Sequence, residues 1–339
     1  MPTLKELAIL AGVSPTTASV VMRGEGNRRN ISAATQQKIM DAAKKIGYQT
    51  NLAARRLRSV GEKHTVVALY WATDFRAPMM VRFLHGLQHA MLSIEREIDI
   101  MIRPYENGAL RQAASHQNLS MFNAAIICNA SQKDMEYLEE MTPLIPIVLY
   151  NRYSEKFCAA TINNSALGSL PARIFALRGH QRASVITSEP VFTEMQLRTT
   201  AFLQTAKEYK METASVIHEQ NSMQGGYTGT MKLLEQGRLP DCIFFGSDAM
   251  AMGALRAFFH KGIQIPRDLE CISIGNGDRD QEENSVISVS NVQVPMEDMA
   301  EKCLNLILEL LEGKHKKPFS FEFPIVYHPL ESCGKVPEE

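Results

Sequence analysis

The chain has no run of about 18 apolar residues and no basic-then-apolar leader at its start. Neither a membrane span nor export is expected. Its six cysteines stand at positions 128, 158, 242, 271, 303 and 333, with no C-x-x-C pair and no histidine at ligand spacing. Most sit in apolar runs such as AAIIC and DCIFF and read as small core residues in a reducing cytoplasm. Catalytic signatures are missing too. There is no G-x-x-x-x-G-K-[ST] and no G-x-S-x-G, and GNGD (275–278) lacks the further glycine of a dinucleotide loop. His85 and His89 are four apart, but HGLQH lacks the glutamate of a zinc-protease helix and reads as a helix face. Asp278, Asp280 and Glu282 imitate the start of a calcium loop, yet the sixth place holds Glu283 where glycine is needed. No catalytic residue, cofactor or metal is expected, and the chain reads as a non-enzyme.

What is present is uneven charge. The whole chain of 339 residues carries −1. Residues 1–60 hold ten Lys or Arg against Glu6, Glu25 and Asp41, which is +7 and leaves −8 for the other 279 residues. A basic head on an acidic body suits a polyanion partner, or simply a solvated basic face. The length predicts two or three folding units, and 45% hydrophobic residues suffice for globular cores.

The head reads as short helices. Thr3-Leu-Lys-Glu6 is a capping box, and Leu4, Leu7, Ala8 and Ala11 follow at helical spacing. Gly12 ends that helix. Ser14-Pro15 starts the next, with Ala18, Val21 and Met22 as its buried stripe. Ser32 caps a third, with Ile39, Ala42, Ala43 and Ile46 inward. Helix, tight glycine turn, helix, loop, helix is the plan of a helix-turn-helix DNA-binding unit. The basic stretch Asn51-Leu-Ala-Ala-Arg-Arg-Leu-Arg58 then looks like a linker helix, too short to be stable alone.

From Thr65 onward short apolar runs alternate with helical patterns. The runs are 66–71, 99–102, 124–128, 145–150, 183–187, 242–245 and 271–275; helices are expected at 79–94, 165–178, 194–209 and 248–261. This predicts βαβ units and parallel sheets, in two similar lobes, with ligand beyond the carboxyl ends of the strands.

TLKELAILAGVSPTTASVVM, NLAARRL, GSDAMAMGALRAFFHKGIQIPRDL and the closing ESC (331–333), in that order, resemble bacterial transcription regulators of the lac repressor and purine repressor type. The resemblance covers nearly the whole chain. It implies an all-α helix-turn-helix head with a hinge helix, joined to an α/β core of two doubly wound parallel-sheet lobes like periplasmic sugar-binding proteins. The expected division is a DNA-binding domain at 1–59 with its hinge at about 51–58, and an effector-binding and dimerisation core at 60–339. Within the core, lobe 1 takes about 60–161 plus 292–321, and lobe 2 takes 162–291 plus 322–333.

At DNA, the resemblance implies that residues 15–22 form the recognition helix. Pro15, Thr16 and Val20 match the family's specificity positions. Pro15 and Val20 can offer a base only apolar contact, while Thr16 can also hydrogen-bond. Thr17 and Ser19 suit phosphate oxygens, as do Arg28 and Arg29 in the loop RGEGNRRN. In the hinge, which starts at Asn51, Leu57 matches the leucine that wedges into the central minor-groove step, with Arg55 and Arg58 on the backbone or in the narrow groove. The expected partner is a palindromic double-stranded operator with a pyrimidine–purine step at its centre, bound by a homodimer.

At the effector, Arg198 matches the family arginine that grips a polar group of the ligand. Ser247 matches a cleft position, and Asp74, Met79 and Met80 match the facing loop and helix start. Tyr150 and Asn151 follow a strand end. Departures are Asn221, where the family often has a stacking aromatic, and Gly277, where it has an acid, with Asp278 one place later. They argue against a purine. Phe192 or Trp71 is a candidate for the missing stacking face, and either could equally be core. The expected protein is thus a cytoplasmic, dimeric regulator, a repressor of carbohydrate uptake or use answering to a sugar or sugar phosphate. The alternative is a solute-binding or sugar-metabolising protein on the same core fold. Whether the effector induces or corepresses is left open by the residues.

Overall fold

In the computed structural model the described residues are 4–22, 26, 29, 31–46, 64–74, 76, 79–277, 279–315 and 317–336. The chain divides into two compact units, Met1–Glu62 and Lys63–Glu339.

The first unit contains α1 (Leu4–Ala11), α2 (Pro15–Met22) and α3 (Ala33–Ile46). Leu7, Ala8, Ala11, Ala18, Val21, Ile39, Ala42 and Ala43 are buried between them. Gly12 makes the turn at φ +61°, a left-handed geometry that costs other residues a clash at Cβ. Ser14 Oγ accepts the Thr17 amide at 3.0 Å, and Ser32 Oγ accepts that of Thr35 at 3.3 Å, so the expected caps of α2 and α3 are formed. Thr3, the expected cap of α1, lies outside the described residues.

The second unit holds two six-stranded sheets. In chain order its elements begin with β1 (His64–Ala72), α4 (Met80–Leu92), β2 (Glu97–Tyr105), α5 (Leu110–Ala113), α6 (His116–Leu119), β3 (Ala124–Cys128), α7 (Gln132–Glu140), β4 (Ile147–Tyr150), β5 (Cys158–Ile162) and α8 (Asn164–Leu177). Then come β6 (Arg182–Thr187), α9 (Thr193–Glu208), β7 (Glu212–His218), α10 (Met223–Leu234), β8 (Cys242–Phe245), α11 (Asp248–Lys261), β9 (Glu270–Gly275) and α12 (Arg279–Glu283). Last are β10 (Asn291–Gln293), α13 (Met296–Leu311), β11 (Ser320–Phe323) and β12 (Val326–His328). The first sheet runs β11-β5-β4-β3-β1-β2, all parallel; the second runs β12-β10-β9-β8-β6-β7, parallel except for β12. Strands β3, β4, β5 and β8 are buried at every residue, as sheets covered by helices on both faces require.

The chain passes between the lobes at residues 162–164, 293–296 and 323–326. The sequence breaks expected before 292 and after 321 fall inside β10 and β11, so both lie a little later in the structure. Gly168 sets one close approach. A Cβ there would stand 1.8 Å from the Arg198 carbonyl oxygen, so α8 and α9 can touch only because it is glycine. That contact brings Asn164 and Arg198 together at the cleft.

Candidate functional site

In the first unit, α2 presents Pro15 and Thr16 as exposed residues, with Thr17 and Ser19 half-buried beside them. No acid occurs in Pro15–Met22. Thr17 Oγ1 lies 2.8 Å from Ser14 Oγ, so the hydroxyl expected at phosphate also belongs to the cap. Val20 is 8% exposed, less than its expected place on the outer face of α2 predicts, yet it is not part of the apolar core that Leu7, Ala11, Val21, Ile39, Ala42 and Ala43 form. Arg29 is exposed. Arg28, Asn51, Arg55, Leu57 and Arg58 lie outside the described residues.

In the second unit, a cavity opens between the lobes at the carboxyl ends of the strands. From the first lobe it is lined by Arg76 and Met79 after β1, Asn129 after β3, and Tyr150, Asn151 and Arg152 at the end of β4. The second lobe contributes Phe192, Met195 and Arg198 around the start of α9, Asn221 after β7, Gly246 after β8 and Asn276 after β9. Val294 and Met296 close the floor. Asn129 and Asn151 turn the chain sharply at φ 61° and 51°, a conformation asparagine tolerates better than most residues. The free space is about 40 Å³, room for water, whereas small-molecule sites are typically about 300–1,000 Å³. Admitting a sugar therefore requires the lobes to part or Phe192 to move.

Three buried arginines meet at Phe192. Their guanidinium carbons lie 3.7 Å (Arg152), 5.2 Å (Arg76) and 5.8 Å (Arg198) from the ring centroid. Arg198 donates from Nε at 2.9 Å and Nη2 at 2.7 Å to Asn164 Oδ1. Arg152 donates to the carbonyls of Ala130 and Asn151, both at 2.6 Å. Arg76 is held by the Asp74 carboxylate, with Nε 2.9 Å from Oδ1. Burial pushes Arg198 down to about 10. Arg152 is likewise pushed down to about 10, by burial first and by its neighbour Arg76 second. Both remain cations near neutral pH. Two acids stand deeper in the second lobe, where burial lifts Glu282 to about 8 and Asp248 to about 6. The lobes also touch where Arg82, paired within the first lobe with Glu297 at 2.6 Å, reaches the Gly277 carbonyl at 3.3 Å, and where Thr193 donates to Gln132 Oε1 at 3.2 Å.

Residues 3–51 match the family profile of bacterial regulatory proteins, lacI family, and residues 172–327 match a periplasmic binding protein-like domain. The crystal structure of a LacI family transcription regulator from Clostridium acetobutylicum superposes with a TM-score of 0.75 at 30% identity, covering 78% of this chain and 98% of that one. The chain belongs to the lacI family of bacterial regulatory proteins. The ribose operon repressor of Escherichia coli (strain K12) is 22% identical over 315 residues, covering 91% of this chain and 92% of the relative. The lac repressor dimer bound to operator and the anti-inducer ONPF shares the fold, with a TM-score of 0.72 at 17% identity over 98% of this chain and 99% of that one. Membership in a regulatory family agrees with the non-enzymatic reading.

For this lacI-family chain, the cavity brings together Met79, Tyr150, Asn151, Phe192, Arg198 and Asn221 of the expected effector residues. The others stand elsewhere. Asp74 spends its carboxylate on Arg76. Met80 packs on the central core. Ser247 caps α11 through the Met250 amide at 3.3 Å and donates to Asn221 Oδ1 at 2.7 Å, so it positions a wall residue. Asp278 lies outside the described residues. Trp71 is a core aromatic, 1% exposed, 5.4 Å from Phe83, which leaves Phe192 as the cleft ring. Arg76, Arg152, Asn129 and Asn276 were not singled out from the sequence. For Arg152 the signal was its place directly after Asn151 at a strand end. His85 and His89 are both exposed, and among the described residues no cluster could hold a metal.

Proposed function

We propose that the protein is a dimeric, cytoplasmic repressor of genes for carbohydrate uptake or use, released or tightened on its operator by a sugar or sugar phosphate held between the lobes. One observation carries this reading. A single chain joins an exposed, acid-free helix of helix-turn-helix type to a cavity where polar side chains of two lobes converge. The lac repressor relative, a dimer bound to operator, and the ribose operon repressor are consistent with it.

In this mechanism Pro15 and Thr16 enter the major groove, while Thr17, Ser19, Arg28 and Arg29 seat the helix on phosphates. Leu57 of each protomer wedges into the operator centre, with Asn51, Arg55 and Arg58 along the hinge. Ligand in the cleft favours one arrangement of the lobes and so orders or melts the hinge. It can shift DNA binding only by its difference in affinity for the two arrangements. A gel shift with fragments of the source genome tests this. Retarded fragments sharing a palindrome support it; no retardation of any fragment, with or without ligand, rejects it. Leu57→Ala should then bind the same fragments more weakly, and full affinity in that variant would remove the wedge.

A further inference from the structure

Deepening the reading above, on which it rests, we infer that the effector is a small organic anion whose carboxylate or phosphate is gripped by Arg152 and Arg198, with Arg76 behind them, and is not a neutral sugar. The three guanidinium groups are each at least nine-tenths buried around one ring. Asp74 neutralises Arg76. Among the described residues, no carboxylate lies within 4.0 Å of Arg152 or Arg198 to do the same. Their partners are carbonyl and amide oxygens, and the Phe192 face offsets only part of one charge. Buried cations are normally paired, so two that lack a direct carboxylate partner and face a common cavity call for an anion.

The hydrogen-bonding balance agrees. Buried Arg152 Nη2 and Asn129 Nδ2 have no partner among the described residues, and both are donors. Carboxylates and phosphates are pure acceptors that fit the guanidinium fork. Asn276 Oδ1, also buried and without a partner among the described residues, supplies an acceptor for a hydroxyl on the same molecule. Glu194, half-buried, acts on both arginines electrostatically. It lines a groove with Glu136 and Glu139 on the outer side of Arg152 and Phe192, so the wall separates an acidic exterior from a cationic interior.

The test titrates the full chain, by thermal shift and calorimetry, with matched compounds on one scaffold: glucose, glucuronate, methyl glucuronate and glucose 6-phosphate. The series is repeated on galactose and ribose, with inorganic phosphate alongside. An acid or phosphate should bind at least about 10-fold more tightly than the neutral sugar of its scaffold, and for an acid also than its methyl ester. The two arms decide between carboxylate and phosphate. In Arg152→Met and Arg198→Met the anion's affinity should fall about 10- to 100-fold, the loss expected for a charge-assisted hydrogen bond, while Arg152→Lys keeps part of it. Equal binding of acid and neutral sugar, or no response to any anion, overturns the inference. The ester comparison uses the unaltered chain and is independent of how the variants fold. An anion that binds with this preference yet leaves operator affinity unchanged upholds the inference and removes the regulatory reading instead.

Discussion

The N-terminal unit and the interlobe cavity distribute apolar and charged groups in opposite ways. Among the described residues, the head buries only alkyl side chains and leaves Thr16 and Arg29 in solvent. The cavity buries its charges, with Arg76, Arg152 and Arg198 all 9% exposed or less. Exposed groups suit a partner that supplies its own charge over a long surface and dissociates in salt. Buried groups suit a ligand small enough to be enclosed, where water no longer competes and a single charge discriminates. One chain can therefore read a macromolecule weakly per contact and a metabolite strongly per contact.

The largest expected effect breaks the head by packing alone. Ile39→Ala should cost about 2–5 kcal/mol in the first unit and abolish operator binding, with ligand binding by the second unit intact. Calorimetry of the variant would show this as loss of one transition; loss of both would mean the units do not fail separately.

Next is a pH dependence confined to the second unit. Burial holds Glu282 at about 8, and then the neighbouring Asp248 adds to it; burial holds Asp248 at about 6. The folded chain thus keeps protons that the unfolded chain releases above its ordinary carboxyl values of 4.5 and 3.8. Stability should fall, by a few kcal/mol on the order of magnitude, as pH rises from about 4 to about 8. Glu282→Gln keeps an acceptor for Asn291 Nδ2, which donates to it at 2.9 Å, and should flatten most of that fall in a Tm series. An unchanged slope would show that Glu282 is not the group responsible.

Smaller still, Arg198→Met should cost about 10- to 100-fold in ligand affinity and leave ligand-free operator affinity as it was. The smallest effect sharpens the exposed side. Arg29→Ala should weaken binding to all DNA sequences alike and lower the slope of log K against log salt by about 1. A loss confined to one operator base would make Arg29 a reader and not a phosphate contact.

Legibility in the sequence followed the same division. Periodicity marks an exposed helix or a strand buried on both faces, so strands 124–128 and 242–245 and helix 248–261 stand where their patterns put them. Strand β5, CAATI, is too weakly apolar to be noticed beside its neighbours. Edge strand β7 mixes exposed and half-buried residues with none buried, and β11 and β12 are short and partly exposed; none shows the continuous run. Val20 is more buried than a helix wheel with Ala18, Val21 and Met22 as its one apolar stripe predicts. The arginines were harder. A charged residue is taken as exposed by default, and only the meeting of strand ends 76 residues apart (Arg76 to Arg152) shows that two of them share a cavity.

The most direct test of the central claim is operator affinity with and without the anion that stabilises the chain in the matched series. The operator Kd should change by about 5- to 150-fold, in either direction, and the change should disappear in Arg198→Met while the ligand-free Kd stays put. An operator Kd that is the same with the cleft saturated and empty would contradict it.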